Sequence, residues 1–173
     1  MRLLTNLTDE YSDAVLAIYN DAIANTTSIY EYHARDKTYM EHWFAEKRAH
    51  DWPVLGMVDD AGELLGFAVY GRFRPHAAYK YSVEHSVYVR SDCRGRGIGG
   101  ALLTQLIKEA EQRGVHVMVA GVDAANEASK ALHRACGFAE VGIVRQAGFK
   151  FGRWLDLAFF QRILPTPADP VDG

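Results

Sequence analysis

Arg94-Gly95-Arg96-Gly97-Ile98-Gly99 stands between an apolar, strand-like segment and a long amphipathic one, which is where an anion cradle belongs. Glycines let the chain turn with several N–H groups facing inward, and a helix starting near Ile98 adds the positive end of its dipole. A pyrophosphate suits such a loop, and a tight connection without a ligand is the plainer alternative. A Walker-type loop ends in Lys followed by Ser or Thr, whereas here Gly99 is followed by Gly100-Ala101, which argues against a nucleoside triphosphate. A Rossmann fingerprint needs a third glycine and an acidic residue about twenty positions on, within an N-terminal parallel unit. Asp123 falls loosely in range, but the loop lies past the midpoint of the chain and behind a hairpin.

Glu84 sits in the middle of the apolar run Val83-Glu84-His85-Ser86-Val87-Tyr88-Val89, immediately before the cradle. A carboxylate there is either paired or functional. As a general base it could take a proton from an amine, the better if burial raises its pKa towards neutrality. Alternation puts Glu84, Ser86 and Tyr88 on one face and His85 with Val83 and Val87 on the other, where His85 reads as a satisfied core or edge histidine. On a wheel of about 100° per residue counted from Ala128, Asn126, Ser129 and His133 gather near about 160°, 100° and 140°. Their face carries an amide, a hydroxyl and an imidazole together, or is a solvated face with Asn126 as a simple N-cap. Ala128, Ala131, Leu132 and Ala135 form the apolar stripe expected to face the core. Arg72 and Arg74 alternate at a strand end and share a face, and guanidinium forks match carboxylates. Tyr30, in an irregular stretch between helices, is a candidate pocket wall.

The elements that must hold these groups follow from local pattern. A short strand near Leu3-Leu4 precedes a helix starting at Thr8-Asp9-Glu10, with Val15, Ile18, Tyr19 and Ala22 at helical spacing. Residues 36 to 48 give a second helix capped by Asp36, with Met40, Trp43 and Phe44 on one face. Strands at about 53–58 and 64–72 flank the turn Asp59-Asp60-Ala61-Gly62-Glu63, a hairpin signal. A strand over 81–90 leads into the cradle. Ile98, Leu102, Leu106 and Ala110 mark a helix ended by Gly114, followed by a strand over 116–120, a helix over 127–136, and strands near 140–145 and 153–162. The Pro-rich residues 165–173 are expected to be a loosely ordered tail.

With 173 residues, 49% hydrophobic and 24% charged, the chain has the composition of one globular domain, expected over residues 1–164. A net charge of −3 offers no basic surface for nucleic acid, and no run approaches the roughly 20 apolar residues of a membrane span. The two cysteines, Cys93 and Cys136, lie in neither metal-site nor disulfide-framework spacing, and no basic-then-apolar leader is evident. Packing roles for both, no metal, and a reducing, cytoplasmic setting are the expectations.

The unit strand-Arg94-x-x-Gly97-x-Gly99-helix, then a strand and Asn126-x-x-Ser129-x-x-x-His133-x-x-x-Gly137-Phe138, resembles the GCN5-related N-acetyltransferases (GNAT). Over about residues 2 to 162 the chain looks like the phosphinothricin/methionine sulfoximine acetyltransferase group. Val83–Val89, His116–Gly121 and Phe151–Leu157 point to its methionine sulfoximine and sulfone branch. Tyr30 departs from that branch, which leads one to expect tryptophan or phenylalanine there, and residues 75–81 look more like the phosphinothricin side around Tyr79.

The resemblance implies an α/β fold with a mixed, mainly antiparallel sheet, flanked by helices and splayed after the fourth strand, the one bearing Glu84. It also implies acetyl-CoA as co-substrate, with direct transfer to the α-amine of a small amino acid or analogue and no acyl-enzyme. By the family pattern, backbone of Val87, Tyr88 and Val89 pairs with the pantetheine arm, and Arg94, Gly95, Arg96, Gly97, Ile98 and Gly99 hold the pyrophosphate. Asn126 and Ser129 lie on the cofactor side. Glu84 matches the family's base, and His133 stands where many relatives carry a proton-donating tyrosine and the phosphinothricin group a histidine, as acid or second base. Arg72 and Arg74, with Tyr30 and Tyr79, fall on the acceptor side, and relatives are homodimers. Acetylation of a protein N-terminus or polyamine, and a coenzyme A sensor without catalysis, are the competing readings. Two arginines would repel a polyamine.

Overall fold

The structure is a computed structural model that describes residues 1–172. Gly173, the last residue of the expected tail, lies outside the described residues. Seven strands follow the hydrogen-bonded order β1-β2-β3-β4-β5-β7-β6, with helices in the connections. The chain divides into two units, Met1–Val69 with Ser86–Leu106, and Tyr70–His85 with Ile107 onward.

The first unit holds β1 (Arg2–Leu4), α1 (Ser12–Asn25), α2 (Lys37–Ala49), β2 (Val54–Val58) and most of β3 (Leu64–Arg72). Thr8 provides no side-chain cap; a 3-10 turn at Asp9–Tyr11 leads into α1 instead. Asp36 does cap α2, its carboxylate accepting from the Tyr39 amide at 2.8 Å. β1 and β2 pair antiparallel, as do β2 and β3 across the Asp59 turn. Helical spacing puts Val15, Ile18 and Tyr19 of α1 and Met40, Trp43 and Phe44 of α2 into a core with Val54, Leu64 and Phe67. Tyr19 meets Trp43, Phe67 and Tyr88 edge-on at 6.0, 4.9 and 5.1 Å between ring centroids, a favoured aromatic geometry.

β4 (Ser82–Val89) begins in the second unit and ends in the first, and α3 (Ile98–Gln112) begins in the first and ends in the second. Gly114, at φ +70°, ends α3 where a side chain would be strained; its amide returns to Glu111 and that of Val115 to Ala110, both bonds of a Schellman closure.

The second unit is built on β5 (Val117–Asp123), β6 (Ala139–Lys150) and β7 (Arg153–Ile163), with α4 (Glu127–Ala135). β7 pairs antiparallel with both β5 and β6. β6 runs to Lys150, well past the expected end at 145, because β7 extends its ladder through a bulge with Gln146 at φ +53°. β4 pairs in parallel with β5 from Ser82↔Val117 to Glu84↔Val119; the register ends there while β4 continues to Val89. Past β7 the expected loose tail makes specific contacts. Leu164 is buried, Thr166 Oγ1 donates to Val115 O at 2.6 Å, and the Tyr81 hydroxyl bonds both backbone groups of Val171.

Among the described residues no helix is long and apolar enough to cross a membrane, and no group of three or more His, Cys, Asp or Glu could hold a metal.

Candidate active site

In the first unit β4 leads through a 3-10 turn at Ser91–Cys93 into residues 94–97, all exposed. Gly95 and Gly97 have φ of +74° and +77°, and a Cβ on either would meet nothing within 4 Å. The main chain is therefore bare on its outer side. The Ala101 amide closes on Gly97 O, so the N–H groups before it fall in the first turn of α3, which lacks intrahelical acceptors. This open row of amides at a helix start fits a diphosphate. Buried Cys93 sits below it as packing, its thiol 3.4 Å from Asp92 Oδ1. Arg90 anchors the loop's entry through Asp92 at 2.7 Å and Glu63 at 3.4 Å. Val87, Tyr88 and Val89 lie on the last turns of β4, half-buried. Tyr30 is exposed in the connection between α1 and α2.

The second unit holds the remaining candidates. Glu84 is half-buried, and burial pushes its carboxyl above the usual carboxylate range while the Arg74 guanidinium pulls it back. Arg74 is exposed, folded over the Phe73 ring at 4.2 Å with Nη1 donating to Phe73 O at 2.9 Å. Phe73 in turn meets Tyr79 edge-on at 5.8 Å. Arg72, the last residue of β3, is exposed.

Asn126 is the N-cap of α4, its side chain accepting from the Ser129 amide at 3.0 Å. Ser129 Oγ lies 3.5 Å from His133 Nδ1, and that nitrogen is 2.7 Å from Ser129 O. The face of α4 turned inward is the reverse of the expected one. Ala128, Ala131 and Ala135 are exposed, Leu132 is partly buried and His133 is buried. Aromatic packing decides this, because the imidazole fills a site among Phe138, Phe160 and His85, at 5.4, 5.7 and 5.1 Å between centroids, which a methyl group could not fill.

Glu84 and His133 stand on opposite faces of the sheet. Residues paired in register share a face, and a Cβ on Gly121 would lie 3.4 Å from Glu84 Oε1 and 3.3 Å from Leu157, marking one side. His85, one residue on, turns to the side of Ala120 and its partner Phe160, where His133 packs. The expected alternation thus holds at Glu84 and His85. His85 is buried as expected of a core histidine but is not satisfied: neither ring nitrogen has a partner, and neither does His133 Nε2. Burial and the nearby His133 push His85 down to about 3, and burial lowers His133 despite its bond to Ser129 O. For His85, a histidine at an inward position of an apolar strand is the sequence signal; that it meets His133 is not legible there.

A family model described as the acetyltransferase (GNAT) family matches residues 15–138. The chain is 48% identical over 157 residues to an L-methionine sulfoximine/L-methionine sulfone acetyltransferase of Pseudomonas aeruginosa, covering 90% of this chain and 91% of that one. It superposes with a TM-score of 0.93 on a GNAT phosphinothricin acetyltransferase from Sinorhizobium meliloti in complex with acetyl-CoA, at 34% identity over 98% of this chain and 91% of that one. A ribosomal-protein-alanine N-acetyltransferase from Brucella melitensis aligns with a TM-score of 0.92 and 46% identity, over 95% and 100% of the two chains.

Proposed function

We propose, from the premise that the chain belongs to the acetyltransferase (GNAT) family and is an acetyl-CoA-dependent N-acetyltransferase, that its acceptor is the α-amine of a small amino acid or analogue. The expected acceptors are of the methionine sulfoximine, methionine sulfone and phosphinothricin type, after the relatives so named. The observation that carries this reading is Glu84, a half-buried carboxylate with a raised pKa near a cation, on the strand that runs directly into the open amide row.

Acetyl-CoA supplies an acyl group already activated as a thioester. The chain's part is to hold it and manage protons. Amides from Gly95 to Gly99 take the diphosphate, with Arg94 and Arg96 adding positive charge and Ile98 starting the helix that supports them. Val87, Tyr88 and Val89 offer main-chain partners to the pantetheine arm, which is supported by the end of the β4–β5 register at Glu84. Asn126 uses its carbonyl as a cap and leaves its Nδ2 to donate beside Ser129.

Glu84 removes the proton of the acceptor's ammonium, which with an α-amino pKa of roughly 8 lacks a lone pair near neutrality. Arg72 and Arg74 receive the acceptor's carboxylate, with Tyr30 and Tyr79 as walls. His133, on the other face, serves the departing thiol. The cytoplasm is the expected compartment, two copies of the chain the expected assembly, and resistance to phosphinothricin as a herbicide the expected consequence of acetylating it.

A second reading, transfer to a protein N-terminal alanine, is favoured by the similarity to the Brucella protein. Thiol release from acetyl-CoA, followed with methionine sulfoximine, methionine sulfone, phosphinothricin, an alanine-initiated peptide and spermidine, separates the readings. Turnover is expected with the three amino-acid analogues, and Glu84→Gln is expected to lower it at least about tenfold with acetyl-CoA affinity unchanged. Turnover with the peptide alone would establish the second reading. Acetyl-CoA binding without turnover on any amine would leave a sensor.

A further inference from the structure

We propose that His85 is a positioning residue acting through His133: the two imidazoles form one buried unit that takes up a single added proton at His133 Nε2, the proton that the thiolate accepts as its bond to the acetyl carbon breaks, and His85 keeps that Nε2 site ready to be recharged. The inference rests on the assignment of His133 to the thiol side of the reaction. A neutral imidazole carries one N–H and one lone pair. Nδ1 of His133 faces the Ser129 carbonyl at 2.7 Å. That oxygen only accepts, so the ring proton is on Nδ1 and the lone pair is on Nε2. This Nε2 and both nitrogens of His85 are buried without a hydrogen-bond partner. Buried nitrogens left without partners are costly and rare, and three in two adjacent rings is a cluster rather than an accident.

The rings lie 5.1 Å apart at an interplanar angle of 32°, boxed by Phe138 at 5.1 Å from His85 and Phe160 at 5.7 Å from His133. The charged groups around the box are engaged elsewhere. Glu84 of β4 points to the opposite face, Arg134 of α4 lies over the Phe160 ring and pairs with Glu140 of β6 at 2.7 Å, and Arg162 of β7 bonds Cys136 O. Among the ring contacts of the described residues, each imidazole is therefore the other's titratable neighbour. A first proton on His133 Nε2 enters beside a neutral, polarisable His85 ring. A second is opposed by like charge at short range, in line with the depression of His85 to about 3.

Imidazole NMR of the wild-type protein, titrated without acetyl-CoA, tests the pair independently of activity. Both rings are expected to report one common midpoint, with the proton entering at His133 Nε2 while Nδ1–H persists. In His85→Phe, which keeps an aromatic ring in the box, the His133 midpoint is expected to fall by at least about one pH unit. There kcat should fall at least about fivefold near neutrality, with KM for acetyl-CoA within about twofold. His85→Asn, which restores a donor and an acceptor, should recover most of both. Unrelated midpoints in the wild type, or an unchanged His133 midpoint in His85→Phe, would overturn the proposal. Should His85→Phe fail to fold, the wild-type and His85→Asn titrations decide alone. A common midpoint in an enzyme inactive on every amine would sink the functional reading and leave the pair standing.

Discussion

Glu84 and Arg74 act on the same proton in opposite directions: burial raises the carboxyl and the guanidinium lowers it. A base works in its ionised form, so turnover on an amine should rise with pH through the Glu84 pKa. Removing Arg74 takes away the opposing influence. In Arg74→Ala the rise of kcat/KM is expected to move to higher pH, by about half a pH unit given the exposure of the guanidinium, and KM for a carboxylate-bearing acceptor should increase. Arg74→Lys keeps the charge but not the planar fork, so it should restore the pH limb and not the KM. A limb at the same pH in wild type and Arg74→Ala would show that Arg74 does not bias Glu84. Neither side chain is hidden in the sequence: a carboxylate inside an apolar strand and two arginines in alternation are visible by type. Their relation is not visible there, because it is an approach through space between residues ten positions apart that type and spacing do not encode.

β3 and β4 form the frame that brings β4 to the cradle, with Phe73 N donating to Ser82 O at one end and Arg90 N to Leu65 O at the other. Gly66 lies inside that pairing, and a Cβ there would stand 2.7 Å from Tyr88 O and 3.2 Å from Val89 Cα. Backbone cannot move aside as a flexible side chain can. Gly66→Ala is therefore expected to cost about 2 kcal/mol or more, read as a lower urea midpoint, and to weaken acetyl-CoA binding because it displaces Tyr88 and Val89. Unaltered stability would mean that the two strands have room for a Cβ at this point. Local signals were sufficient for α1, α2 and α3, whose apolar spacing, Asp36 cap and Gly114 stop are each written within a few residues. They failed on α4. The helical period groups Ser129 with His133 and Ala128 with Ala131, but which group faces inward is decided by Phe138 just past the helix and by Phe160, which β7 brings from far along the chain. The same holds for β6 beyond residue 145, which owes its length to β7, and for the assignment of Glu84 and His133 to opposite faces, which needs the β5 and β7 registers.

At the scale of the whole molecule, a group of large apolar side chains on β6 and β7 stands exposed among the described residues. Val141, Ile143 and Val144 on β6, with Phe149 and Trp154 where β6 turns into β7, are 46–60% exposed. Phe149 and Trp154 pair across the hairpin with their rings 5.2 Å apart. Exposed apolar side chains on an edge strand of this kind invite association, and a second copy of the chain is the occupant consistent with the proposed assembly. Such an interface would bury apolar surface that the single chain leaves in water. Ile143→Asp should accordingly leave the urea midpoint of the separated chain nearly unchanged while abolishing association, because a charge at a self-complementary contact is introduced twice. Sedimentation velocity over a hundredfold concentration range is expected to give two chains for the wild type and one for the variant. A wild-type protein that sediments as one chain at every concentration would leave the β6–β7 surface unexplained by self-association.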